Sequence, residues 1–170
     1  MLPHDFHISR VDSSADLVLR NLFEHYLHDM AQWFEFDTEL DGRYSYPTNE
    51  VWEKGYDVYF AYAGSMPIGF GLVGSAETWT GNAAMRDMDE FFVIRRYRRH
   101  GVGATFANHL WDQYPGDWLV RVFQGNLPAM PFWRGIIAAR TENAFREEVC
   151  TSNQRLWSYF TFNSTPQPRF

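Results

Sequence analysis

Apolar and polar positions alternate in two ways along this chain, and each pattern indicates one kind of element. From His7 to Val11 the alternation runs residue by residue, which is typical of a short strand at the edge of a sheet. From Leu17 to Met30, leucines and aromatic residues recur at helical spacing, directly after the capping side chains of Asp12 to Ser14. The second pattern predicts a helix that packs one apolar face on a sheet.

The middle of the chain predicts a hairpin, a further strand and a second helix. Tyr56 to Ala63 and Pro67 to Val73 are rich in aromatic and β-branched residues, and Gly64-Ser65 between them gives the tight turn of an antiparallel hairpin. Met88 to Ile94 is strongly apolar and indicates a strand. Gly101 to Tyr114 carries apolar residues at helical spacing and predicts a helix.

The remaining segments complete a series of strands and helices. The predictions are a short helix or ordered loop at Gln32–Trp52, a polar loop at Gly74–Arg86, a strand at Trp118–Phe123, a short helix at Pro128–Arg134, a strand at Ile136–Arg140 and a last strand at Gln154–Phe162. The sequence shows no internal repeat or low-complexity tract.

Length and composition indicate one domain over residues 1–170. A chain of 170 residues suits a single hydrophobic core, and its 45% hydrophobic and 18% aromatic content offers enough apolar area to fold. No apolar run approaches the roughly 20 residues of a membrane span, and Met1 to Arg10 lacks the features of a signal peptide. Cys150 is the single cysteine, which excludes an internal disulfide. We therefore expect a soluble, cytoplasmic protein without membrane association.

Charge is unevenly distributed along the chain. The formal net charge of −6 argues against nucleic acid as a partner, because such proteins usually present a basic surface to phosphates. Four arginines nevertheless fall within five positions, from Arg95 to Arg99, whereas Glu24 to Asp41 holds six acids and neither Lys nor Arg. One part of the surface should attract anions and another should attract cations.

The segment from Phe91 to Thr105 predicts an anion-binding turn. An apolar strand turns through arginines and two glycines directly into a helix. The start of a helix exposes amide N–H groups and the positive end of the helix dipole, so a phosphate gains several hydrogen bonds there. Gly101 and Gly103 let the backbone approach the phosphates, and guanidinium groups such as that of Arg98 add charge-assisted contacts.

At these residues the sequence resembles the GNAT superfamily of acetyltransferases. Arg98-x-x-Gly101-x-Gly103 matches the family signature [Gln/Arg]-x-x-Gly-x-[Gly/Ala], and Val93 stands at the position of the family's strand-end valine. Asn126-x-x-Ala129-x-x-Phe132-Trp133 is similar to the family's second cofactor motif. The resemblance covers roughly Tyr56 to Arg140.

The resemblance implies a fold and a cofactor. The fold is α/β of the α+β type, with a central mixed, mostly antiparallel sheet that is flanked by helices and splayed at the cofactor-binding strand. The implied cofactor is acetyl-CoA, with the pantetheine arm along the strand end and the pyrophosphate in the turn. The implied cofactor-binding residues are Phe92, Val93, Ile94, Arg98, Arg99, His100, Gly101, Val102, Gly103, Ala104, Thr105, Asn126, Ala129, Phe132 and Trp133.

The sequence departs from the family pattern at Trp133. Many relatives carry at that position a tyrosine that protonates the departing thiolate, and an indole cannot do so at neutral pH. Either another donor such as Tyr97 or Tyr159 serves, or the thiolate leaves without assistance.

Glu90 is the first candidate for the proton acceptor that an amine acetyltransferase needs. Amide formation requires a neutral amine, and a carboxylate commonly removes the proton, directly or through water. Glu90 lies three residues before Val93, and an acid within an apolar strand is costly unless it is paired or used. Asp87 and Asp89 are alternatives, because strand alternation points Asp89 and Glu90 to opposite faces. A structural carboxylate paired with an arginine is the other interpretation of Glu90.

An acidic and aromatic segment is the candidate acceptor site. Trp33 and Phe34 are interleaved with Glu35 and Asp37, a mixture that suits a cationic amine lying on aromatic surfaces. A small polyamine, an amino acid derivative or an aminoglycoside-like compound would fit. A solvated acidic loop explains the same residues equally well.

The predicted function is therefore direct acetyl transfer to an amine in a ternary complex. The expected partner is a small-molecule amine, and a homodimer is compatible with the resemblance. The alternatives are a noncatalytic CoA-binding regulator, acetylation of a protein or peptide amine, and nucleic-acid contact by the arginines. His25 and His28 share a helical face, but without cysteine support we assign no metal.

Overall fold

The computed structural model describes residues 1–165. Its strands and helices, in chain order, are β1 Phe6–Val11, α1 Asp16–Met30, α2 Thr48–Glu53, β2 Asp57–Ala63, β3 Met66–Ser75, α3 Glu77–Thr80, β4 Arg86–Val93, α4 Val102–Gln113, β5 Asp117–Phe123, α5 Ala129–Thr141, β6 Phe145–Ser152 and β7 Arg155–Asn163. Short 3₁₀ turns occupy Ser13–Ala15 and Arg95–Tyr97. Within the described residues, no helix has the length and apolar character needed to cross a lipid bilayer.

The strands form one seven-stranded sheet in the order β1-β2-β3-β4-β5-β7-β6. The pairs β1–β2, β5–β7 and β6–β7 are antiparallel, whereas β4 and β5 run parallel. The register of β4 with β5 extends from Arg86–Trp118 to Met88–Val120, and both strands continue beyond it. A mixed, mostly antiparallel sheet flanked by helices is the predicted fold class, and it is confirmed.

The predicted strand at Ile136–Arg140 is wrong, because this segment lies within helix α5. Burial along α5 recurs every four residues, at Trp133, Ile137 and Thr141, which is the spacing of one helical face. The two adjacent isoleucines favour a strand locally, but the apolar face that begins at Trp133 continues through them. The helix ends at Glu142, whose φ of 53° is left-handed.

Strand β6, Phe145–Ser152, replaces the predicted strand as the partner of β7. Its sequence is largely polar and carries three charged residues, so it lacks the apolar pattern of a strand. Arg134 of α5 forms hydrogen bonds of 2.8 and 2.7 Å with Glu147 of β6. This ion pair lowers the pKa of Glu147, mainly through the Arg134 hydrogen bond against the opposing effect of burial.

Two short helices lie in segments without a clear sequence pattern. Helix α2 begins inside the segment Gln32–Trp52, for which a short helix was one of two predictions. The segment Gly74–Arg86, predicted as a polar loop, contains the single turn of α3 and the last residues of β3. Its Gly81 adopts a φ of 71° and ends the helix.

The chain forms two compact units, and the predicted single domain stays a prediction. The first unit consists of Met1–Leu72 and Glu90–Gly103, and the second consists of Val73–Asp89 and the chain from Ala104 onward. The core of the first unit consists of Leu19, Leu22, Phe23, Val51, Val58, Phe60, Phe70, Leu72 and Phe92. In the second unit the largest fully buried side chains include Trp111, Trp118, Phe106 and Phe160.

Strand β3 approaches β4 most closely at Gly69. A Cβ at Gly69 would lie 2.4 Å from the carbonyl oxygen of Phe92 and 3.2 Å from Cα of Val93, both backbone atoms. Only a residue without a side chain fits beside this part of β4.

Gly69→Ala is expected to destabilise the protein by about 1–3 kcal/mol, the usual cost of overpacking a core, because the backbone must move. Urea unfolding measures this loss. Gly135→Ala is the matched control, since Gly135 lies in α5 and a Cβ there would meet nothing within 4 Å. The control should be neutral or slightly stabilising, because alanine favours helix more than glycine does. Equal stability of the two variants would contradict the close approach.

Candidate active site

The turn between β4 and α4 brings the chain directly to the start of a helix. After β4 ends at Val93, a 3₁₀ turn spans Arg95–Tyr97, and α4 begins at Val102. Arg99 and Gly101 have φ values of 61° and 84°, which are left-handed. A Cβ at Gly101 would meet nothing within 4 Å, so glycine is favoured there by conformation rather than by space. The turn leaves the first amide groups of α4 without intrahelical partners, as the predicted anion site requires.

The end of β4 directs alternate peptide groups to opposite edges. The carbonyl of Phe92 faces Gly69, and the N–H of Ile94 donates to the carbonyl of Ile68 at 2.8 Å. The Phe92 C=O and the Ile94 N–H therefore both point towards β3. The N–H and C=O of Val93 therefore point to the opposite edge of β4. There the Val93 carbonyl accepts a hydrogen bond of 2.7 Å from Nε of Arg98, and the Val93 N–H remains directed to that edge.

Asp29 of α1 binds two arginines of the turn. Its carboxylate accepts a hydrogen bond of 2.7 Å from Arg95 and another from Arg98, whose guanidinium also lies 5.4 Å from the ring centre of Phe92. Burial alone would raise the pKa of Asp29, but the hydrogen bonds and charges of Arg98 and then Arg95 outweigh it, and the pKa is lowered. Sequence reasoning missed Asp29, because its partners are 66 and 69 residues away.

The other basic residues of the turn are exposed. Arg96 lies over the ring of Tyr97 at 5.8 Å, and Nδ1 of His100 lies 2.7 Å from the carbonyl oxygen of Arg98. Within residues 1–165, neither Arg96 nor Arg99 forms a salt bridge. The charge that remains available to an anion therefore comes from these two side chains.

Glu90 receives a hydrogen bond from a residue that sequence reasoning did not single out. The hydroxyl of Tyr26, on α1, donates to Oε2 of Glu90, and both side chains are half-buried. The Tyr26 ring contacts Phe92, two residues further along β4, with ring centres 5.9 Å apart. Helix α1 thus brings Tyr26 to Glu90 and, one turn later, Asp29 to the arginines.

Asp87 and Asp89 share a partner, Arg121. Both accept hydrogen bonds from the same nitrogen of Arg121 on β5, at 2.7 and 2.6 Å. Trp79 lies over this guanidinium, 4.1 Å from it. Asp87 is 2% exposed, and burial raises its pKa to about 6, although the charge and hydrogen bond of Arg121 oppose the shift. The candidate Asp89 is therefore one half of a carboxylate pair bridged by arginine.

The two candidate proton donors lie in separate surroundings. Tyr97 is half-buried in the 3₁₀ turn beside Arg96. Tyr159 of β7 contacts Trp79 edge to face at 6.4 Å. Burial raises the pKa of Tyr159, while the charge of Arg121 partly offsets this. The phenol is protonated at neutral pH, and the raised pKa makes it a weaker acid than an ordinary tyrosine.

The second predicted cofactor motif lies at the start of α5. Oδ1 of Asn126 accepts a hydrogen bond of 3.2 Å from the N–H of Ala129, the first residue of α5. Trp133 is 7% exposed and packs against Phe132 and Trp111 at ring distances of 5.0 and 6.5 Å. Trp133 is thus a core residue of the second unit.

The candidate acceptor residues follow α1. Trp33 and Phe34 are half-buried, whereas Glu35 and Asp37 are exposed. In the described part of the chain, neither of these two acids forms a salt bridge, while the neighbouring Asp41 is paired with Arg43. The segment therefore presents unneutralised negative charge next to aromatic rings.

The fold is similar to that of several solved acetyltransferases. A ribosomal-protein-alanine N-acetyltransferase from Brucella melitensis is 16% identical, with 92% of this chain and 99% of that chain covered and a TM-score of 0.62. A Bacillus subtilis acetyltransferase in complex with CoA is 10% identical, with coverage of 94% and 99% and a TM-score of 0.59. A Desulfovibrio desulfuricans protein assigned to the GNAT family of acetyltransferases is 12% identical, with coverage of 94% and 99% and a TM-score of 0.66.

These similarities concern the fold. No protein-family model and no curated protein sequence matches the chain significantly. At 10–16% identity, the three structures share an architecture with this chain over nearly its whole length. The predicted GNAT fold is therefore confirmed, while the roles of individual residues have to be argued from their own geometry.

Proposed function

We propose that the chain is an acetyl-CoA-dependent N-acetyltransferase that moves an acetyl group to the primary amine of a small, cationic molecule. The observation that carries the proposal is the turn after β4, in which left-handed Arg99 and Gly101 lead into the N-terminus of α4. Within residues 1–165, the exposed Arg96 and Arg99 beside it form no salt bridge. Such a turn offers backbone donors and positive charge to a diphosphate. Acetyl-CoA, when bound, supplies a thioester whose acetyl group passes directly to the amine.

The residues of the turn fit the diphosphate of coenzyme A. The amides from Arg99 to Ala104, with the hydroxyl of Thr105 nearby, provide donors at the helix start. Arg96 and Arg99 are exposed and add positive charge. Arg98 donates hydrogen bonds to the Val93 carbonyl and to Asp29, and these bonds stabilise the turn. The Val93 N–H is directed away from β3. It can donate to the pantetheine arm a hydrogen bond of the kind that a neighbouring strand would accept.

Glu90 is the proposed proton acceptor. A carboxylate can take the proton of an ammonium group, directly or through one water, and thereby supply the neutral amine that attacks. The hydroxyl of Tyr26 donates a hydrogen bond to one oxygen of Glu90. Asp87 and Asp89 share Arg121, which makes them weaker candidates.

The departing thiolate has no donor in Trp133, which packs in the core. Its protonation falls to Tyr97 or Tyr159, or the thiolate leaves unassisted, because a thiolate is stable enough near neutral pH. Trp133, Phe132 and Asn126 then have a supporting role at the start of α5.

The acceptor is proposed to bind at the segment that follows α1. Glu35 and Asp37 attract a cation, and the rings of Trp33 and Phe34 offer faces on which an ammonium group can lie. The alternative acceptor is a protein or peptide amine. Thiol release from acetyl-CoA with 1,4-diaminobutane and with an alanine-terminated peptide separates the two. Thiol release with neither, in a protein that binds coenzyme A, would favour a noncatalytic regulator.

Gly101→Val is expected to weaken coenzyme A binding at least about tenfold, because a branched side chain disfavours the left-handed backbone and covers the amides. Isothermal titration calorimetry measures the affinity. Gly55→Val is the matched control: Gly55 also has a positive φ, of 72°, and open space around its Cβ position, but lies after α2. The control should lose similar stability and keep the affinity.

Two results would contradict the proposal. Absence of coenzyme A binding by the unmodified protein would remove the cofactor assignment altogether. Equal affinity in the Gly101 variant and the unmodified protein would show that the turn does not hold the diphosphate.

A further inference from the structure

We propose that Tyr26 is a positioning residue that fixes the orientation of the Glu90 carboxylate for proton transfer. This inference rests on the proposed function, because it assigns a partner to the acid that the proposed function uses. The hydroxyl of Tyr26 donates to Oε2 of Glu90 from helix α1, 64 residues away in sequence.

The Tyr26 hydroxyl is held in place by packing. The Tyr26 ring meets Phe23, Phe70 and Phe92 edge to face, with ring centres 5.9, 5.8 and 5.9 Å apart and interplanar angles of 79°, 87° and 62°. Contacts on three sides fix the ring plane, and with it the direction of the hydroxyl. The donor is therefore in position before any acceptor binds, which is what a catalytic constellation requires of its support.

The donor to Glu90 differs in its chemistry from the donors to the neighbouring carboxylates. The neighbouring carboxylates are bound by arginines, Asp29 by Arg95 and Arg98, and Asp87 by Arg121. Tyr26 instead offers a neutral O–H, whose proton is far too weakly acidic to move to a carboxylate near neutral pH. Its hydrogen bond fixes the direction of Oε2, and with it the plane of the Glu90 carboxylate.

Three charged groups of α1 and the turn pair with one another. Asp29 of α1 and Arg95 and Arg98 of the turn form one ion-paired group, and Tyr46 stacks on Phe23 with ring centres 4.0 Å apart. The deletion of a single hydroxyl at Tyr26 therefore changes the surroundings of Glu90 while the ion-paired group stays intact.

Tyr26→Phe tests the assignment, because it keeps the ring and removes the donor. The value of kcat/KM with 1,4-diaminobutane is expected to fall about 3- to 10-fold near neutral pH, the range for one lost hydrogen bond. The KM for acetyl-CoA should be unchanged. The acidic limb of the pH profile should move to higher pH, because a donor to the carboxylate favours its charged form. The amine titrates equally in both proteins, so it does not produce this difference.

The matched control is Tyr62→Phe, which removes a hydroxyl from another tyrosine packed on the same core, one whose ring stacks on His7 at 4.8 Å. It should keep both kcat/KM and the pH profile. A Tyr26→Phe/Glu90→Gln double variant should be no slower than Glu90→Gln, because the hydroxyl acts through the carboxylate.

A measurement without turnover separates this inference from the proposed function. In protein labelled with ¹³C at the glutamate carboxyl carbons, the Glu90 signal is identified by its loss in Glu90→Gln. Its titration should move to higher pH in Tyr26→Phe. An unmoved titration together with an unmoved acidic limb would overturn the inference. Full activity of Glu90→Gln alongside a moved titration would instead overturn the catalytic role of Glu90 and leave the coupling of the two residues standing.

Discussion

Glu90→Gln is expected to lower kcat by about 10²- to 10⁴-fold, the usual contribution of a general base, while coenzyme A affinity is retained. The amide has nearly the same shape as the carboxylate and still accepts a hydrogen bond from Tyr26, but it cannot take a proton from an ammonium group. Steady-state thiol release and calorimetry with coenzyme A measure the two quantities separately.

Two further variants make this result specific to Glu90. Glu50→Gln, on the exposed side of α2 where Glu50 pairs with Lys54, should leave kcat unchanged. Asp89→Asn tests the alternative base, which the structure pairs with Arg121. A large loss of kcat in Asp89→Asn with full activity in Glu90→Gln would move the proton acceptor to the second unit.

Arg121→Met is expected to destabilise the protein by about 3–5 kcal/mol near neutral pH, the range found when one partner of a buried ion pair is removed. The Arg121 side chain is 12% exposed, and it binds the buried Asp87 and the neighbouring Asp89. Without the guanidinium, two carboxylates remain together in a site that burial already makes unfavourable for charge. Arg146→Met, at a salt bridge where Arg146 is 75% exposed, should cost less than about 1 kcal/mol.

The loss in Arg121→Met should depend on pH with a defined sign. Burial raises the pKa of Asp87 to about 6 from its ordinary value of 3.8, so between these values the folded state binds more protons than the unfolded state. The stability contribution of Asp87 is therefore greatest at low pH and is lost as pH rises to about 6. In Arg121→Met the carboxyl group is protonated more readily still, so urea unfolding should give a smaller loss at about pH 5 than at about pH 7.5. Equal losses at both would contradict an uncompensated Asp87 charge.

Local patterns were sufficient to predict the elements that form the turn. The apolar strand that ends at Val93 and the helix from Val102 follow from the period of the apolar residues. Gly101 was predicted to let the backbone approach a phosphate, and in the structure it has a left-handed φ of 84°. These features depend on neighbours within a few positions, so a single sequence carries them.

Partners that are distant in sequence could not be predicted. Tyr26, Asp29 and Arg121 bind residues between 32 and 69 positions away, and none of them belongs to a local motif. The sequence therefore left open whether Asp89 or Glu90 acts as the base, since strand alternation separates them without assigning a face. Strand β6 was missed for the same reason, because its pairing with β7 compensates for a polar local sequence.

Tyr26, which binds Glu90, and Asp29, which binds Arg98, lie one turn apart on α1. The positions of these two side chains therefore depend on the same helix. An insertion of one residue within α1 ahead of Tyr26 would rotate the following turn by about 100° and detach both supports at once. Amino acid replacements on the outer face of this helix are compatible with the arrangement. Changes in its length are not.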